Sequence, residues 1–212
     1  MILRVAEIFR SIQGESTCAG QPCAFVRLAG CDIGCTYCDT LQARDAATGR
    51  EMTVDEILAA VERFHLPLVE ITGGEPLLQR EGTAALAARL LEAGLTVMLE
   101  TSGCLPVAGL DERIEIIMDV KTPGSGVADR FCGENLEVID GNDEVKFVLT
   151  GREDYQWACE FVARWPQLWR ARAIHFSPVM PGLSPHTLAG WMVADGGPAR
   201  LGVQLHKLLG VR

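Results

Sequence analysis

Three closely spaced cysteines constrain this 212-residue chain more than any other feature of its sequence. Cys31, Cys35 and Cys38 have the spacing C-x3-C-x2-C and follow the apolar run 24–30, which is typical of a strand. A structural zinc site usually has four protein ligands, and an iron–sulfur cluster is usually held by four thiolates. Three thiolates would leave one iron of a cubane cluster open to a substrate or cofactor. The spacing therefore indicates a cluster that takes part in chemistry.

The net charge and the lack of targeting segments indicate which partners and which cell compartment to expect. The formal net charge is −9 and no cluster of Lys and Arg is present, so we expect no binding to nucleic acid. Residues 1–5 lack the features of a secretory signal, and no apolar run has the length of a membrane span. We therefore expect a cytoplasmic protein without membrane association, in which clustered cysteines bind metal or catalyse. The other cysteines are scattered and are expected to be ordinary side chains: Cys18, Cys23, Cys104, Cys132 and Cys159.

Predicted strands and helices alternate along the chain. The predicted strands are 3–9, 23–29, 68–72, 96–100, 114–120, 144–149, 171–176 and 201–205. The predicted helices are 53–64, which opens with a capping box, 81–93, 153–165 and 186–194, and residues 40–52 are expected to form a connecting loop. This order predicts parallel strands, either in an open doubly wound sheet or in an incomplete (β/α) barrel. A full eight-fold barrel takes about 250 residues, so a single domain over 1–212 is short for one.

Polar residues gather where the predicted strands end, while the strand bodies are apolar. The active site of a parallel α/β fold lies at the carboxyl edge of its strands. Gly73 and Gly74 would let the backbone approach a ligand closely there. Together these residues predict a wide polar pocket opposite the cysteine loop. The strand-end groups are 72–75, 100–102, Asp119 with Lys121, Lys146, 177–178, and Gln204 with His206.

Two motifs resemble those of the radical S-adenosylmethionine (SAM) superfamily. The first is the cysteine motif, with the aromatic Tyr37 before its last cysteine. The second is Gly73-Gly74-Glu75-Pro76, similar to the stretch that binds the amino group of SAM in that superfamily. The resemblance implies an α/β fold of the radical SAM type, an incomplete barrel of about six parallel strands. It also implies a 4Fe-4S cluster whose open iron chelates SAM, which is then cleaved to methionine and a 5′-deoxyadenosyl radical.

Longer segments resemble the 7-carboxy-7-deazaguanine synthase family, from near residue 7 to near residue 207 and more weakly over about 105–170. The resemblance implies a carbon–nitrogen lyase that converts 6-carboxy-5,6,7,8-tetrahydropterin to 7-carboxy-7-deazaguanine and ammonia on the route to queuosine. The implied first step is abstraction of hydrogen from C6 of the pterin. A homodimer and a flavodoxin-like electron donor are further implications. The matching segments are 7–15, 25–31, 38–40, 71–76, 100–103 and 204–207.

The family resemblance implies a role for each matching residue. Cys31, Cys35 and Cys38 would bind the cluster, and Thr40 would give a hydroxyl ligand to Mg²⁺ beside oxygens of the substrate. Residues that would contact the substrate are Ile12, Gln13, Gly14, Arg27 and Thr72. Arg27 is suited to the carboxylate of the substrate. Residues that would contact SAM are Tyr37, Cys38, Asp39, Gly74 and Lys121. The family has Ser-Pro-Lys where this chain has residues 119–121, so only Lys121 is carried over. The substrate contact of the family's chain end is not carried over to Arg212.

Three other classes of protein share parts of this pattern. A radical SAM activase that makes a glycyl radical would need a docking surface for its partner protein and would not respond to a pterin. An electron-transfer module would be expected to have a fourth cysteine ligand, which the local spacing lacks. A zinc-binding structural domain would be colourless, whereas an iron–sulfur protein is brown.

Overall fold

A mixed sheet of nine strands forms the centre of the protein, and the computed structural model describes residues 1–211. The conclusion drawn for Arg212 lies outside the described residues. The strands are β1 (Ile2–Ile12), β2 (Pro22–Leu28), β3 (Arg50–Thr53), β4 (Leu68–Gly73), β5 (Thr96–Thr101), β6 (Glu115–Asp119), β7 (Glu144–Leu149), β8 (Ala173–Pro178) and β9 (Arg200–Leu201). The helices are α1 (Val54–Glu62), α2 (Arg80–Glu92), α3 (Asn135–Val138), α4 (Arg152–Arg164), α5 (Pro185–Asp195) and α6 (Leu205–Leu209).

The strand order confirms the predicted parallel architecture. The order is β3-β1-β2-β4-β5-β6-β7-β8-β9, and every pair from β2 to β9 is parallel. Strand β1 is antiparallel to β2 and carries β3 antiparallel on its other side. The two edge strands are β3 and β9, so the sheet does not close. This is an α/β fold of the incomplete-barrel type.

The core has two layers because alternate residues of a strand face opposite sides of the sheet. On the helix side, strand residues such as Val69, Leu99 and Phe147 join helix residues in one large apolar cluster. Burying side chains of this size stabilises the fold by about 1.5–3 kcal/mol each. The opposite, inner face carries a smaller cluster that includes Phe25, Met98 and Ile117. Polar side chains occupy the next positions of the inner face toward the carboxyl edge.

Helix α1 begins where the capping box predicts. The Thr53 hydroxyl accepts a hydrogen bond from the Glu56 backbone N–H at 3.2 Å, and the Glu56 carboxylate accepts one from the Thr53 N–H at 2.7 Å. Two orphan backbone donors are thereby satisfied. No helix within residues 1–211 is both long enough and apolar enough to span a bilayer.

Two segment predictions are wrong. The expected loop 40–52 contains two short 3-10 turns and most of β3, an exposed edge strand whose pairing with β1 is not visible in local sequence. The expected final strand 201–205 pairs only over β9, and Leu205 instead begins α6. A Cβ on Gly202 would lie 2.1 Å from Ser177 Oγ, so the chain passes against β8 there. Helix α3 was not predicted.

Candidate active site

Every residue to which the family resemblance assigns a role lines one cavity of about 490 Å³, whereas Glu75, Ser177 and Pro178 of the predicted strand-end pocket do not line it. Its walls are the carboxyl ends of strands β2 and β4–β7, the cysteine loop, the 13–16 turn and the start of α6. The predicted site residues in the lining are Ile12, Gln13, Gly14, Arg27, Cys31, Cys35, Tyr37, Cys38, Asp39, Thr40, Thr72, Gly74 and Lys121.

The cysteine loop follows β2 directly and is fixed by backbone hydrogen bonds. The Cys31 N–H donates to Arg44 O at 2.9 Å, and the Cys38 N–H donates to Cys35 O at 3.4 Å. The three thiols are free and half-buried. Burial raises the pKa of the Cys35 thiol, while the nearby Lys121 ammonium opposes that rise. None of the five other cysteines lines the cavity.

The donor set of this loop fits an iron–sulfur cluster. Three free thiols border the same cavity, and thiolates are the ligands that such clusters take. Within residues 1–211, no three His, Cys, Asp or Glu side chains converge closely enough to hold a single metal ion. The three thiols therefore do not form a preassembled zinc site.

Two glycines let the loop after β4 pack against the cysteine loop. Gly73 has a φ of +148°, and a Cβ there would lie 2.2 Å from Leu28 O. A Cβ on Gly74 would lie 2.2 Å from Gly30 O. Contacts this close exclude any side chain, so the two glycines hold the strand end beside the cysteines.

The side chain of Glu75, the next residue, forms hydrogen bonds within the protein and does not face the cavity. Its carboxylate is buried and accepts hydrogen bonds from the Thr101 hydroxyl at 2.8 Å and the Ser102 N–H at 2.8 Å. It also accepts from the Leu77 N–H at 3.0 Å. The side chain of the Gly-Gly-Glu-Pro motif therefore ties the end of β4 to the end of β5.

Lys146 is the buried cation at the centre of the cavity wall. Its ammonium contacts Glu15 at 2.7 Å, lies 3.9 Å from Asp119 and pairs with Glu100. Burial alone would lower the pKa of Lys146, but the carboxylates of Glu100 and Glu15 outweigh it and hold the pKa well above its usual value. Against the opposing effect of burial, Lys146 lowers the pKa of Glu100 to about 2. The site thus holds a charged lysine and charged carboxylates together.

Asp119 and Lys121 form a second ion pair in the wall, at 2.7 Å. Lys121 also lies 5.8 Å from the centre of the Tyr37 ring, and the Tyr37 hydroxyl donates to Val148 O at 3.3 Å. Asp119 Oδ1 is buried and has no hydrogen-bond partner among the described residues. Lys121 is thus the link between the end of β6 and the cysteine loop.

Arg27 projects from β2 into the cavity with part of its guanidinium engaged. Its Nε donates to Glu7 Oε1 at 3.0 Å, and the guanidinium carbon lies 5.8 Å from the centre of the Phe9 ring. A half-buried arginine is stabilised by such an acidic partner. Thr72 is opposite Arg27 in the strand register, and its hydroxyl donates to Glu100 at 3.1 Å.

The 13–16 turn packs under the start of α6. A Cβ on Gly14 would lie 2.0 Å from His206 Nδ1, and Gly14 O accepts from the Leu205 N–H at 2.9 Å. Gln204 donates to Glu15 at 2.8 Å and accepts from Lys207 at 2.8 Å. These contacts make the segment 204–207 a cover of the cavity rather than a strand end.

The structure adds cavity residues to which the sequence analysis assigned no role, among them Glu70 and Lys207. Glu70 precedes Thr72 on the same face of β4, and the alternation over 68–72 was the signal that could have identified it. Lys207 contacts Asp39 at 2.6 Å, and helps to lower the pKa of Asp39 against the effect of burial. The Thr40 hydroxyl donates to the other Asp39 oxygen at 3.0 Å.

Comparison with known proteins identifies the family. Residues 26–192 match the model of the Radical SAM superfamily. The 7-carboxy-7-deazaguanine synthase of Chlorobaculum tepidum is 46% identical over 210 residues, which cover 98% of this chain and 94% of the relative. The chain belongs to the 7-carboxy-7-deazaguanine synthase family. The 7-carboxy-7-deazaguanine synthase of Koribacter versatilis is 39% identical over 220 residues, covering 98% of this chain and 96% of the relative.

A solved structure shows the same fold. The crystal structure of QueE from Escherichia coli aligns with a TM-score of 0.79 at 24% sequence identity, covering 97% of this chain and 95% of that chain. Membership of the 7-carboxy-7-deazaguanine synthase family confirms the predicted family, an enzyme of the lyase class, and a 4Fe-4S cluster and SAM as its cofactors.

Proposed function

We propose that this chain converts 6-carboxy-5,6,7,8-tetrahydropterin to 7-carboxy-7-deazaguanine and ammonia, in the queuosine route. The observation that carries the proposal is that three free thiols and Arg27 line the same cavity, and that only Nε of Arg27 is hydrogen-bonded to Glu7. Cluster chemistry on a substrate with a carboxylate requires both a cluster site and such a cation. The high identity to named 7-carboxy-7-deazaguanine synthases over nearly the whole chain supports it. Substrate and product differ by one ammonia, so the reaction involves no net oxidation.

Cys31, Cys35 and Cys38 hold the cluster in this proposal. When bound, the cluster supplies the electron for reductive cleavage of SAM. Tyr37, Cys38, Asp39, Gly74 and Lys121 contact SAM. Their shared place in the lining of the cavity, on the side of the cysteine loop, supports this assignment.

The substrate lies against β1, β2 and β4. Arg27 binds the substrate carboxylate through its terminal nitrogens, because its Nε is already engaged by Glu7. Thr72 lies beside that carboxylate, opposite Arg27 in the register. Ile12, Gln13 and Gly14 contact the pterin from the end of β1, where the missing side chain of Gly14 makes room for His206. The start of α6 lines the same side of the cavity and packs on the 13–16 turn.

The proposal is tested by anaerobic reconstitution with iron and sulfide, followed by incubation with dithionite, SAM and the pterin. We expect a brown protein and a product with the mass and retention of 7-carboxy-7-deazaguanine. A brown protein that cleaves SAM and leaves the pterin unchanged would contradict the proposed substrate and favour an activase. A flavodoxin-like electron donor and a homodimer stay predictions from the family resemblance. A single domain and a cytoplasmic location stay predictions from chain length and sequence features.

Thr40 is the proposed protein ligand of Mg²⁺. Its hydroxyl and the adjacent Asp39 carboxylate are hard oxygen ligands at the cavity wall, and the substrate carboxylate would add a further oxygen. Thr40→Val removes the hydroxyl while keeping the volume. We expect the Mg²⁺ concentration for half-maximal activity to rise roughly 10- to 100-fold, as is typical when a metal-site residue is changed.

The matched control for this prediction is Thr40→Ser, which keeps the hydroxyl and should titrate with Mg²⁺ much as the unchanged enzyme does. Activity is measured as product formed per minute across a Mg²⁺ series at saturating SAM. An identical Mg²⁺ response in the valine and serine variants would remove Thr40 from the metal site.

A further inference from the structure

Glu70 is a buried carboxyl in the cavity wall that the protein leaves without a cation. It is 6% exposed and lines the cavity from β4. The neighbouring cations are engaged elsewhere, since Lys146 pairs with Glu15 and Glu100 and Arg27 pairs with Glu7. Among residues 1–211, Glu70 belongs to no ion pair. A buried carboxyl in this state requires hydrogen-bond donors.

The protein supplies one such donor. Gln13 Nε2 donates to Glu70 Oε2. The orientation of the Gln13 amide is fixed, because its oxygen accepts the Glu15 N–H at 3.1 Å. No side chain of the described part of the chain donates to Glu70 Oε1. Without a ligand, burial and the Glu100 carboxylate raise the pKa of Glu70 to about 8, and N–H donors of a bound ligand would lower that pKa again by stabilising the charged form.

The strand register sets the depth of Glu70 relative to Arg27. Thr72 is opposite Arg27, and Glu70 is opposite Phe25, one step further from the carboxyl edge. Two residues along a strand span about 6.6 Å. At this level the inner face is otherwise apolar, since Phe25 and Met98, the register neighbours of Glu70, belong to the inner cluster. A flat ligand held by Arg27 at the carboxyl edge would therefore reach Glu70 with its far end.

We propose that Glu70 accepts hydrogen bonds from the exocyclic 2-amino group and the N3–H of the substrate's 2-amino-4-oxopyrimidine ring. This inference rests on the proposed function, and it extends the site to the end of the substrate opposite the carboxylate. Two adjacent N–H donors match a carboxylate in a bidentate arrangement. The substrate then lies along β2 and β4, with its carboxylate-bearing carbon near the cysteine loop and its pyrimidine edge on Glu70. Glu70 is the residue that selects a guanine-like ring.

The test compares two ligands on two proteins. The ligands are the pterin substrate and its 2-desamino analogue, which lacks one of the two donors. The unchanged enzyme should bind the analogue roughly 10- to 100-fold more weakly, the factor expected for a hydrogen bond to a charged group. Glu70→Gln should raise the KM for the pterin by a similar factor. The NH2 group of the new amide would face an N–H donor of the ligand and could not accept its hydrogen bond. This variant should also lose the preference for the pterin over the analogue.

Two readouts separate binding from folding. Iron content and the far-ultraviolet circular dichroism spectrum should be the same in Glu70→Gln as in the unchanged enzyme. The matched control is Glu144→Gln, another inner-face carboxyl, which bonds His175 at 2.5 Å and Thr17 and does not line the cavity. That variant should keep the preference for the pterin even if it is less stable.

The outcomes are distinct. Equal affinity of the unchanged enzyme for pterin and analogue would overturn the inference without any variant, and so would a preserved preference in Glu70→Gln. A Glu70→Gln variant that does not hold its cluster is replaced by Glu70→Asp, which keeps a carboxylate and should keep the preference at a weaker absolute affinity. Failure of the unchanged enzyme to convert the pterin would instead refute the proposed function.

Discussion

The Cys35→Ala variant should bring SAM cleavage down to the level of a no-enzyme control. Cys35 is the middle cysteine of the motif, and its removal leaves two thiols on the cavity wall for a cluster that needs three protein ligands. Iron content should fall along with 5′-deoxyadenosine formation. Both are measured after anaerobic reconstitution and reduction with dithionite, with the protein's far-ultraviolet circular dichroism as a check on folding.

The matched control is Cys159→Ala. Cys159 lies in α4, is half-buried like Cys35 and does not line the cavity. This variant should keep its iron and its SAM cleavage. Full activity in Cys35→Ala, or an equal loss in both variants, would contradict the assignment of the three cysteines to the cluster.

Lys146→Met should lower the free energy of unfolding by about 3 kcal/mol, near the lower end of what breaking a buried ion pair costs. The reason is that Glu15 and Glu100 would then face each other without their shared cation. Their side chains are 17% and 30% exposed, so residual solvation moderates the loss. The melting temperature should fall by roughly 10 °C for a chain of this size. Urea titration at pH 7 measures the free energy directly.

The pH dependence of this loss has a defined sign. Lys146 depresses the pKa of Glu100 to about 2, so the pair stabilises the native state above the unfolded pKa of Glu100 and ceases to do so as the pH falls toward 2. In Lys146→Met that contribution is absent. The difference in unfolding free energy between the two proteins should therefore be largest near neutral pH and shrink below about pH 4.5.

Lys207→Met provides the comparison for Lys146. Lys207 pairs with Asp39 at 2.6 Å, but the two side chains are 28% and 57% exposed. Exposed ion pairs contribute about 1 kcal/mol or less, so this variant should unfold close to the unchanged protein. Equal losses of stability in the two lysine variants would show that Lys146 is not the buried counterion of the cavity.

Much of the fold was predictable because its signals are local. Apolar strands alternating with helices indicated the parallel sheet, and the capping box at Thr53 marked the start of α1. Strand β3 was missed because it is short, exposed and defined by pairing with β1, some 50 residues earlier. The final segment was mistaken for a strand because its apolar residues 201–205 do not reveal that Gly202 passes against Ser177.

Some of the site residues could likewise be predicted from the sequence, and others could not. Motifs identified the cysteine loop, the two glycines and Arg27, because each requires a residue type at a fixed place in the chain. Neither the pairing of Lys146 with Glu15 nor the isolation of Glu70 could be predicted, because both depend on which strands are neighbours and in which register. The alternation of Glu70 and Thr72 was visible in the sequence, but the lack of a cation beside Glu70 was not.

The central claim is that this chain converts a carboxylated tetrahydropterin through a cluster held by three cysteines. The most direct measurement quantifies pterin consumed, 7-carboxy-7-deazaguanine formed and ammonia released in one anaerobic reaction with SAM and dithionite. We expect equal amounts of all three, and no product with Cys35→Ala. Pterin loss without ammonia, or 7-carboxy-7-deazaguanine formed by the cluster-free variant, would contradict it.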